Sequence, residues 1–221
     1  MKNTLLFFIF SLSFLTVFNS CNKKECRIGN PFYQFDIPVT LTPALDTFNI
    51  GDTITINSSF SDFIQEINTG TSFILADYSF EPYVQIYLLD SVSTLTESYI
   101  SNNFEVIISP QYSFNLFVWP DGRTNLAGEY SYQNSTYSLE YKLIAKKPGG
   151  YYFSQSAILG SEQLFDGKCE NLQTNVYVNM NNRKDNNFHL LKDVQNPYID
   201  KYLKNVNKKF NKYGGYAFYV K

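Results

Sequence analysis

Ser135-Thr136-Tyr137-Ser138-Leu139-Glu140-Tyr141-Lys142-Leu143-Ile144-Ala145 is followed, after Lys147-Pro148-Gly149-Gly150, by Tyr151-Tyr152-Phe153-Ser154-Gln155-Ser156-Ala157-Ile158. Both runs are rich in the aromatic and β-branched residues that suit a pleated, half-buried backbone, and Pro-Gly-Gly between them is turn chemistry. The stretch predicts two long strands paired as a hairpin. Outward from it, Asp52–Ser58 alternates so that Ile54 and Ile56 share one face and the threonines the other, the mark of a strand buried on one side. Phe48-Asn49-Ile50-Gly51 reads as the hairpin-like lead into that strand. Further strands are predicted at 37–41, 83–89, 104–109, 114–119 and 175–180, with Trp119-Pro120-Asp121-Gly122 ending one of them. Short strands at this spacing predict antiparallel sheets packed as a β-sandwich, immunoglobulin-like in part.

The C-terminal third changes character. An asparagine-rich stretch around 171–187 precedes a short helical run at 187–194. Asn196 then suits an N-cap, Pro197 the first helical position and Gly214 a left-handed stop. Between them Ile199, Tyr202, Leu203, Val206, Phe210 and Tyr213 recur at helical spacing, with Lys201, Lys204, Lys208 and Lys212 on another face. An amphipathic helix of about four turns is predicted, its lysines solvated, followed by a terminal strand at 216–220 that returns to the sheet. No repeat or linker interrupts 27–221, which reads as one domain.

Composition narrows the function. Of 221 residues, 44% are hydrophobic, 18% aromatic and 17% charged, with a net charge of −2. This excludes a disordered chain and argues against a dedicated nucleic-acid binder. His189 is the single histidine. A metal site with two histidines cannot be built within the chain, and any nucleophile–histidine pair would need that residue.

Residues 1–20 read as a signal peptide: Lys2 gives a positive start, and 5–17 is apolar apart from Ser11, Ser13 and Thr16. The run is shorter than the roughly twenty residues of a spanning helix. It ends at Phe18-Asn19-Ser20-Cys21. Small Ser20 directly before cysteine resembles the lipobox of bacterial lipoproteins, in the relaxed form ending in Ser-Cys seen in the Bacteroidota. The resemblance implies that Cys21 is alkylated by a diacylglycerol and becomes the acylated first residue of the mature chain. Residues 21–26 are then a lipidated tether, and the acyl chains, at about 0.8 kcal/mol per buried methylene, hold the protein on a membrane. Asn22 does not resemble the aspartate of inner-membrane retention, which places the protein at the outer membrane; its periplasmic or surface orientation stays open.

Two cysteines remain. In an oxidising envelope Cys26 and Cys169 are expected to pair, closing a loop of about 143 residues and stabilising by about 4 kcal/mol in the chain-entropy model. Asp52-Thr53-Ile54 and Asp90-Ser91-Val92 resemble the three-residue O-glycosylation acceptor of exported Bacteroidota proteins, and Ser91, in a predicted loop, is the better candidate.

No phosphate loop, dinucleotide fingerprint, nucleophile elbow or EF-hand spacing occurs, so no cofactor is expected. The chain's 18 tyrosines and 20 phenylalanines stand out. Tyrosines on an outer sheet face can stack on sugar rings, which makes Trp119, Tyr130 and Tyr132 the candidate ligand contacts, against the plainer reading of tyrosine as a good strand residue. The chain as a whole resembles the small Bacteroidota lipoproteins with a β-rich domain and no assigned activity. The expected function is a non-enzymatic, membrane-anchored module that binds or scaffolds an envelope protein or a glycan. A lipid-anchored polysaccharide hydrolase, needing two acids about 5–9 Å apart, and an inhibitor or immunity-type lipoprotein are the alternatives. A binder predicts a shallow aromatic surface without converging acids; a hydrolase predicts a cleft holding two carboxylates.

Overall fold

Tyr137, Leu139, Tyr141, Leu143 and Ala145 are all buried and the residues between them half-exposed, so the first run quoted above is a strand with a single inner face. The structure, a computed structural model, describes residues 32–89, 98–160, 173–184, 186–192, 194 and 199–221. Its strands are β1 (Phe32–Thr42), β2 (Thr47–Phe48), β3 (Thr53–Ser61), β4 (Phe63–Gln65), β5 (Ser72–Ile74), β6 (Phe80–Leu88) and β7 (Phe104–Ile108), then β8 (Phe114–Val118), β9 (Thr124–Gly128), β10 (Ser131–Gln133), β11 (Thr136–Ala145), β12 (Gly149–Leu159), β13 (Gln173–Met180) and β14 (Tyr216–Val220). One short helical turn, α1 (Ile100–Asn103), precedes β7, and another, α2 (Asp200–Lys204), lies near the C-terminus.

The protein is mainly β, a two-sheet sandwich. One sheet runs β1-β13-β12-β6-β9-β8, with β14 beside β12; the other holds β10, β11, β3 and β7. β1 belongs to both. Its first part, Phe32–Val39, pairs in parallel with β13, and Thr40–Thr42 pairs antiparallel with β3. β2 and β14 form a second parallel pair, so the sheets are not purely antiparallel. Rings from the two sheets meet edge to face or tilted between them: Phe60 and Phe80 at 5.2 Å, Phe104 and Tyr151 at 4.9 Å, Phe114 and Tyr141 at 5.1 Å between centroids. Such pairs each add about 0.5–1.5 kcal/mol beyond their area burial.

The predicted hairpin is corrected. β11 pairs with β3, β7 and β10, whereas β12 pairs with β6, β13 and β14, so the two strands lie in opposite sheets. The chain arches across the sandwich at Lys146–Pro148, and Gly149 and Gly150 are already strand, opposite Val220 and Tyr219. Gln155 shows the two strands facing: wholly buried on β12, it accepts the Tyr141 hydroxyl of β11 at 2.8 Å. Phe48–Gly51 is likewise an arch, because β2 pairs with β14 and β3 lies in the other sheet.

The predicted C-terminal helix is also corrected. Asn187–Val194 holds a 3-10 turn at Phe188–Leu191, and the longer segment divides into α2 and a π-helical turn at Asn207–Asn211. Asparagine side chains compete for hydrogen bonds there: Asn205 Oδ1 accepts the Lys208 backbone N–H, and the side chains of Asn211 and Asn207 bond to each other, Nδ2 to Oδ1. These turns nevertheless cover an apolar patch on the outside of the first sheet. Ile199 and Phe210 are buried over Tyr87, Tyr152 and Ala217, with Phe210 stacked 5.7 Å from the Tyr152 ring. The Gly150–Phe153 part of β12 and most of β14 are therefore covered on both faces. Gly214 does stop the segment at φ +53, and the strand after it runs over 216–220 as predicted. Among the described residues no helix is long and apolar enough to cross a membrane.

Candidate functional site

At its β8 edge, the outer face of the first sheet carries a shallow groove of about 570 Å³. β12 supplies Ser156 and Ile158, β6 supplies Glu81 and Tyr83, β9 supplies Ala127, and β8 supplies Asn115 and Phe117. The register explains the grouping: Ser156 faces Tyr83, Tyr83 faces Ala127 and Ala127 faces Asn115 across successive strands. Gly128 sits on the floor at φ +153, where a Cβ would lie 2.0 Å from the Ser113 carbonyl oxygen. Only glycine lets β8 approach that closely.

Alternation along β8 puts Phe117 on the same side as Trp119, the first residue of the turn. Their exposures are 51% and 49%. The turn is built by Pro120-Asp121-Gly122: Gly122, at φ +84, donates to the Trp119 carbonyl, and Trp119 N–H donates to the Arg123 carbonyl at 2.8 Å. Arg123 holds Asp121 through Nε at 2.7 Å, and its guanidinium lies 5.9 Å from the Trp119 ring centroid. Hydrogen bonds from the Arg123 side chain and backbone hold the Asp121 carboxyl below its ordinary range.

Beneath the two rings lies Asn125, 5% exposed. With its amide oxygen turned toward the two donors, it accepts the Tyr83 hydroxyl at 2.8 Å and the Trp119 indole N–H at 2.9 Å. One buried acceptor thus fixes two aromatic side chains from different strands. Burial raises the Tyr83 hydroxyl above its usual range, with Arg123 opposing. Glu81, which accepts from the Ser79 hydroxyl at 3.3 Å, and Glu129 line the same groove.

The three aromatic residues singled out from the sequence do not converge. Trp119 borders the groove. Tyr130 is inside, at 6% exposure, where its hydroxyl accepts from Gln155 Nε2 at 3.3 Å and burial pushes it up to about 12. This corrects its assignment to an outer face: Tyr130 lies between β9 and β10 with its ring buried in the core, and a ring in the core cannot stack on a ligand. Tyr132 is half-buried on β10, in the other sheet, and donates to Asp62 at 2.6 Å. Phe117, Tyr83 and Asn125 belong to the site and were not singled out; the two-residue spacing of Phe117 and Trp119 is the signal that would have found Phe117, whereas Tyr83 and Asn125 reach the site only through strand register.

Cys21, Cys26, Cys169 and Ser91 lie outside the described residues, as does the signal peptide. Thr53 of the other acceptor-like triplet begins β3. His189 is exposed on its turn. Of the lysines on the predicted helix face, Lys204 pairs with Asp200 at 2.5 Å and Lys212 lies 4.2 Å from the Tyr177 ring centroid. Among the described residues no group of three or more His, Cys, Asp or Glu side chains comes together to hold a metal.

No protein-family model matches the sequence, and no curated protein matches it. Among solved structures, the reeler domain of human F-spondin overlays with a TM-score of 0.34 and 9% identity, over 68% of this chain and 93% of that one. A type II cohesin domain from the cellulosome of Acetivibrio cellulolyticus gives 0.25 at 11% identity, over 62% of this chain and 81% of its own. The collagen-binding domain from a Staphylococcus aureus adhesin gives 0.24 at 13% identity, over 62% and 90%. Scores of this size carry no functional inference, and the function rests on the groove itself.

Proposed function

We propose that this chain is a lipid-anchored bacterial envelope protein that acts by binding and not by catalysis, and that it receives a glycan in the groove beside Trp119. The carrying observation is the pair of exposed rings, Phe117 of β8 and Trp119 of the turn after it, on one side of the sheet, with Tyr83 of β6 beside them and Asn125 holding Trp119 and Tyr83 in place. Ring faces bordered by Asn115, Ser113 and Ser156 suit the apolar faces and hydroxyl rims of sugars. The groove is open to solvent, which favours a long ligand lying across it over chemistry that needs water excluded. The leader and Cys21 supply the anchor in this reading, the Cys26–Cys169 disulfide braces the domain in an oxidising compartment, and Ser91 is its exported, glycosylated loop.

The test is binding of wild type and Trp119→Ala to a panel of envelope and dietary polysaccharides, with thermal melts alongside. Removing an exposed aromatic anchor weakens binding by about tenfold or more, equivalent to about 1.4 kcal/mol, at an unchanged melt. Equal binding by both proteins overturns the groove beside Trp119 as the site, and binding to no glycan overturns the glycan and leaves an envelope protein as partner.

One observation favours a second reading. Glu81 and Glu129 line the same groove, and a polysaccharide hydrolase works with two carboxylates flanking the scissile bond. Release of new reducing ends by wild type, lost in both Glu81→Gln and Glu129→Gln, would establish it.

A further inference from the structure

At the other edge of the first sheet, a hairpin of β4 and β5 projects beside β1. Phe63 and Ile74 face each other across it, 61% and 64% exposed, and Ile67 is exposed at its turn. Directly opposed residues of an antiparallel pair share one face. The single ionisable side chain in 63–76 is Glu66, and it is turned inward at 1% exposure. There it accepts four hydrogen bonds, from the backbone of Gln34 and Thr69 and the side chains of Asn68 and Thr69, at 2.7–3.0 Å. The exposed face of the hairpin carries Phe63, Ile67 and Ile74, with Gln65 between the first two and its amide bonded to the Gly70 carbonyl, and it presents no ionisable side chain.

Its position says what it faces. Glu66 bridges Phe35, and Ile67 N–H donates to the Gln34 carbonyl at 2.8 Å, so the hairpin is fastened to the start of β1. β1 begins at Phe32, eleven residues after Cys21. At 3.3–3.6 Å per residue, a lipid on Cys21 keeps the start of β1 within about 40 Å of the bilayer. Along β1-β13-β12-β6-β9-β8 the groove begins at β12 and ends at β8, and β8 is five strand spacings or about 24 Å from β1. Phe117 and Trp119 are therefore at the edge of the sheet remote from the tether.

We infer that the β4–β5 hairpin is a second membrane contact: Phe63, Ile67 and Ile74 seat in the boundary between headgroups and acyl chains, and turn the groove outward from the bilayer. This rests on the proposed lipidation of Cys21. A bilayer suits the face because it accepts apolar side chains and needs no charged partner.

The test uses the full lipidated protein in phosphatidylethanolamine–phosphatidylglycerol vesicles whose acyl chains are brominated. Trp119 is the chain's one tryptophan and serves as the control remote from the membrane. In a Trp119→Phe background, Phe63→Trp and Ile74→Trp should lose most of their emission to the brominated lipid, while wild-type emission is unchanged. Because both positions are exposed, circular dichroism should match wild type. A protein that carries its acyl chains and floats with the vesicles, yet shows no quenching at 63 and 74, or equal quenching at 119, overturns the membrane contact and leaves the anchor standing. A protein without acyl chains that stays out of the vesicle fraction overturns the anchor, and the contact with it.

Discussion

The indole N–H of Trp119 ends on the side-chain oxygen of Asn125, 2.9 Å away, although the ring itself stands half in solvent. An exposed ring held from below is already in one orientation before a ligand arrives, so less rotamer freedom is lost on binding. Asn125→Ala should leave the Trp119 and Tyr83 donors without this acceptor and cost about 1–3 kcal/mol of stability, while also weakening ligand binding. Chemical denaturation and binding isotherms of this variant beside Trp119→Ala separate the two effects, because the tryptophan change should spare stability. An unchanged denaturation midpoint for Asn125→Ala would remove it as the support of the two rings.

Gly128→Ala should be costly for a different reason. The added methyl meets the Ser113 carbonyl and the Phe114 Cα, in the backbone where β8 begins, at a positive φ that alanine resists. A loss on the order of 3 kcal/mol is expected. Gly122→Ala, with positive φ but nothing within 4 Å, should cost less, and thermal melts of the pair compare strain alone with strain plus collision.

Glu66 makes stability depend on acid. Burial opposes its ionisation, but hydrogen bonds from Thr69, Gln34 and Asn68 outweigh burial and hold the carboxyl below its ordinary 4.5. A depressed folded-state value means the stabilisation is complete above the unfolded-chain value and is lost as pH falls through the folded one. Asp36 acts in the opposite sense: burial raises it above 3.8, against the pull of Arg183, so its share is lost as pH rises through its folded value. The difference between wild type and Glu66→Gln isolates the contribution of Glu66. Urea midpoints of wild type should fall below about pH 4.5 more steeply than those of the variant; parallel curves would show that Glu66 is not the group responsible.

Phe210 fastens the C-terminal turns. Its ring is fully buried between Tyr152 and Phe188, with Gly215 against it. Phe210→Ala should destabilise by about 3–5 kcal/mol and open the lysines at 204–212 to trypsin before the sandwich unfolds. Proteolysis that instead begins in the strands would mean the turns and the sheet unfold as one unit.

The anchor has its own outcome. Cys21→Ser should release the protein from membranes or leave an unprocessed precursor, and unchanged membrane extraction with normal processing would remove the lipoprotein reading. Protease digestion of intact against lysed cells then assigns the domain to the medium or to the periplasm.

Strand positions were largely legible because alternation is written residue by residue: Ile54 and Ile56 are buried with Ser58, and 216–220 is a strand to the residue. Partnership was not. Lys147-Pro148-Gly149-Gly150 has the composition of a hairpin turn, yet β12 reads Tyr151-Tyr152-Phe153 without a polar break. An unbroken apolar run signals a strand covered on both faces, which β11, with its strict alternation, is not. β9 escaped notice because Thr-Asn-Leu-Ala-Gly has little strand character of its own and is held by β6 and β8. In the C-terminal segment the helical period marked the buried residues Ile199 and Phe210 correctly, but interleaved asparagines broke the helix. For the site, Trp119 stood out by type; Asn125 could not, since its role depends on a register that only the sheet supplies.

The parallel pairing of β1 with β13 sets an order in time. Phe32 finds its partner Gln173 about 140 residues downstream, and β12 completes its ladder only when β14 arrives beside Gly149–Phe153. Closing loops of that length before any contact rewards them makes folding slow. The ladders β3–β11, β7–β11, β6–β12 and β8–β9 all join strands within 53–159, but a growing chain that stops short of β13 leaves the first strand without its parallel neighbour. The first sheet therefore keeps bare strand edges, vulnerable to neighbours, until its final strand is in place.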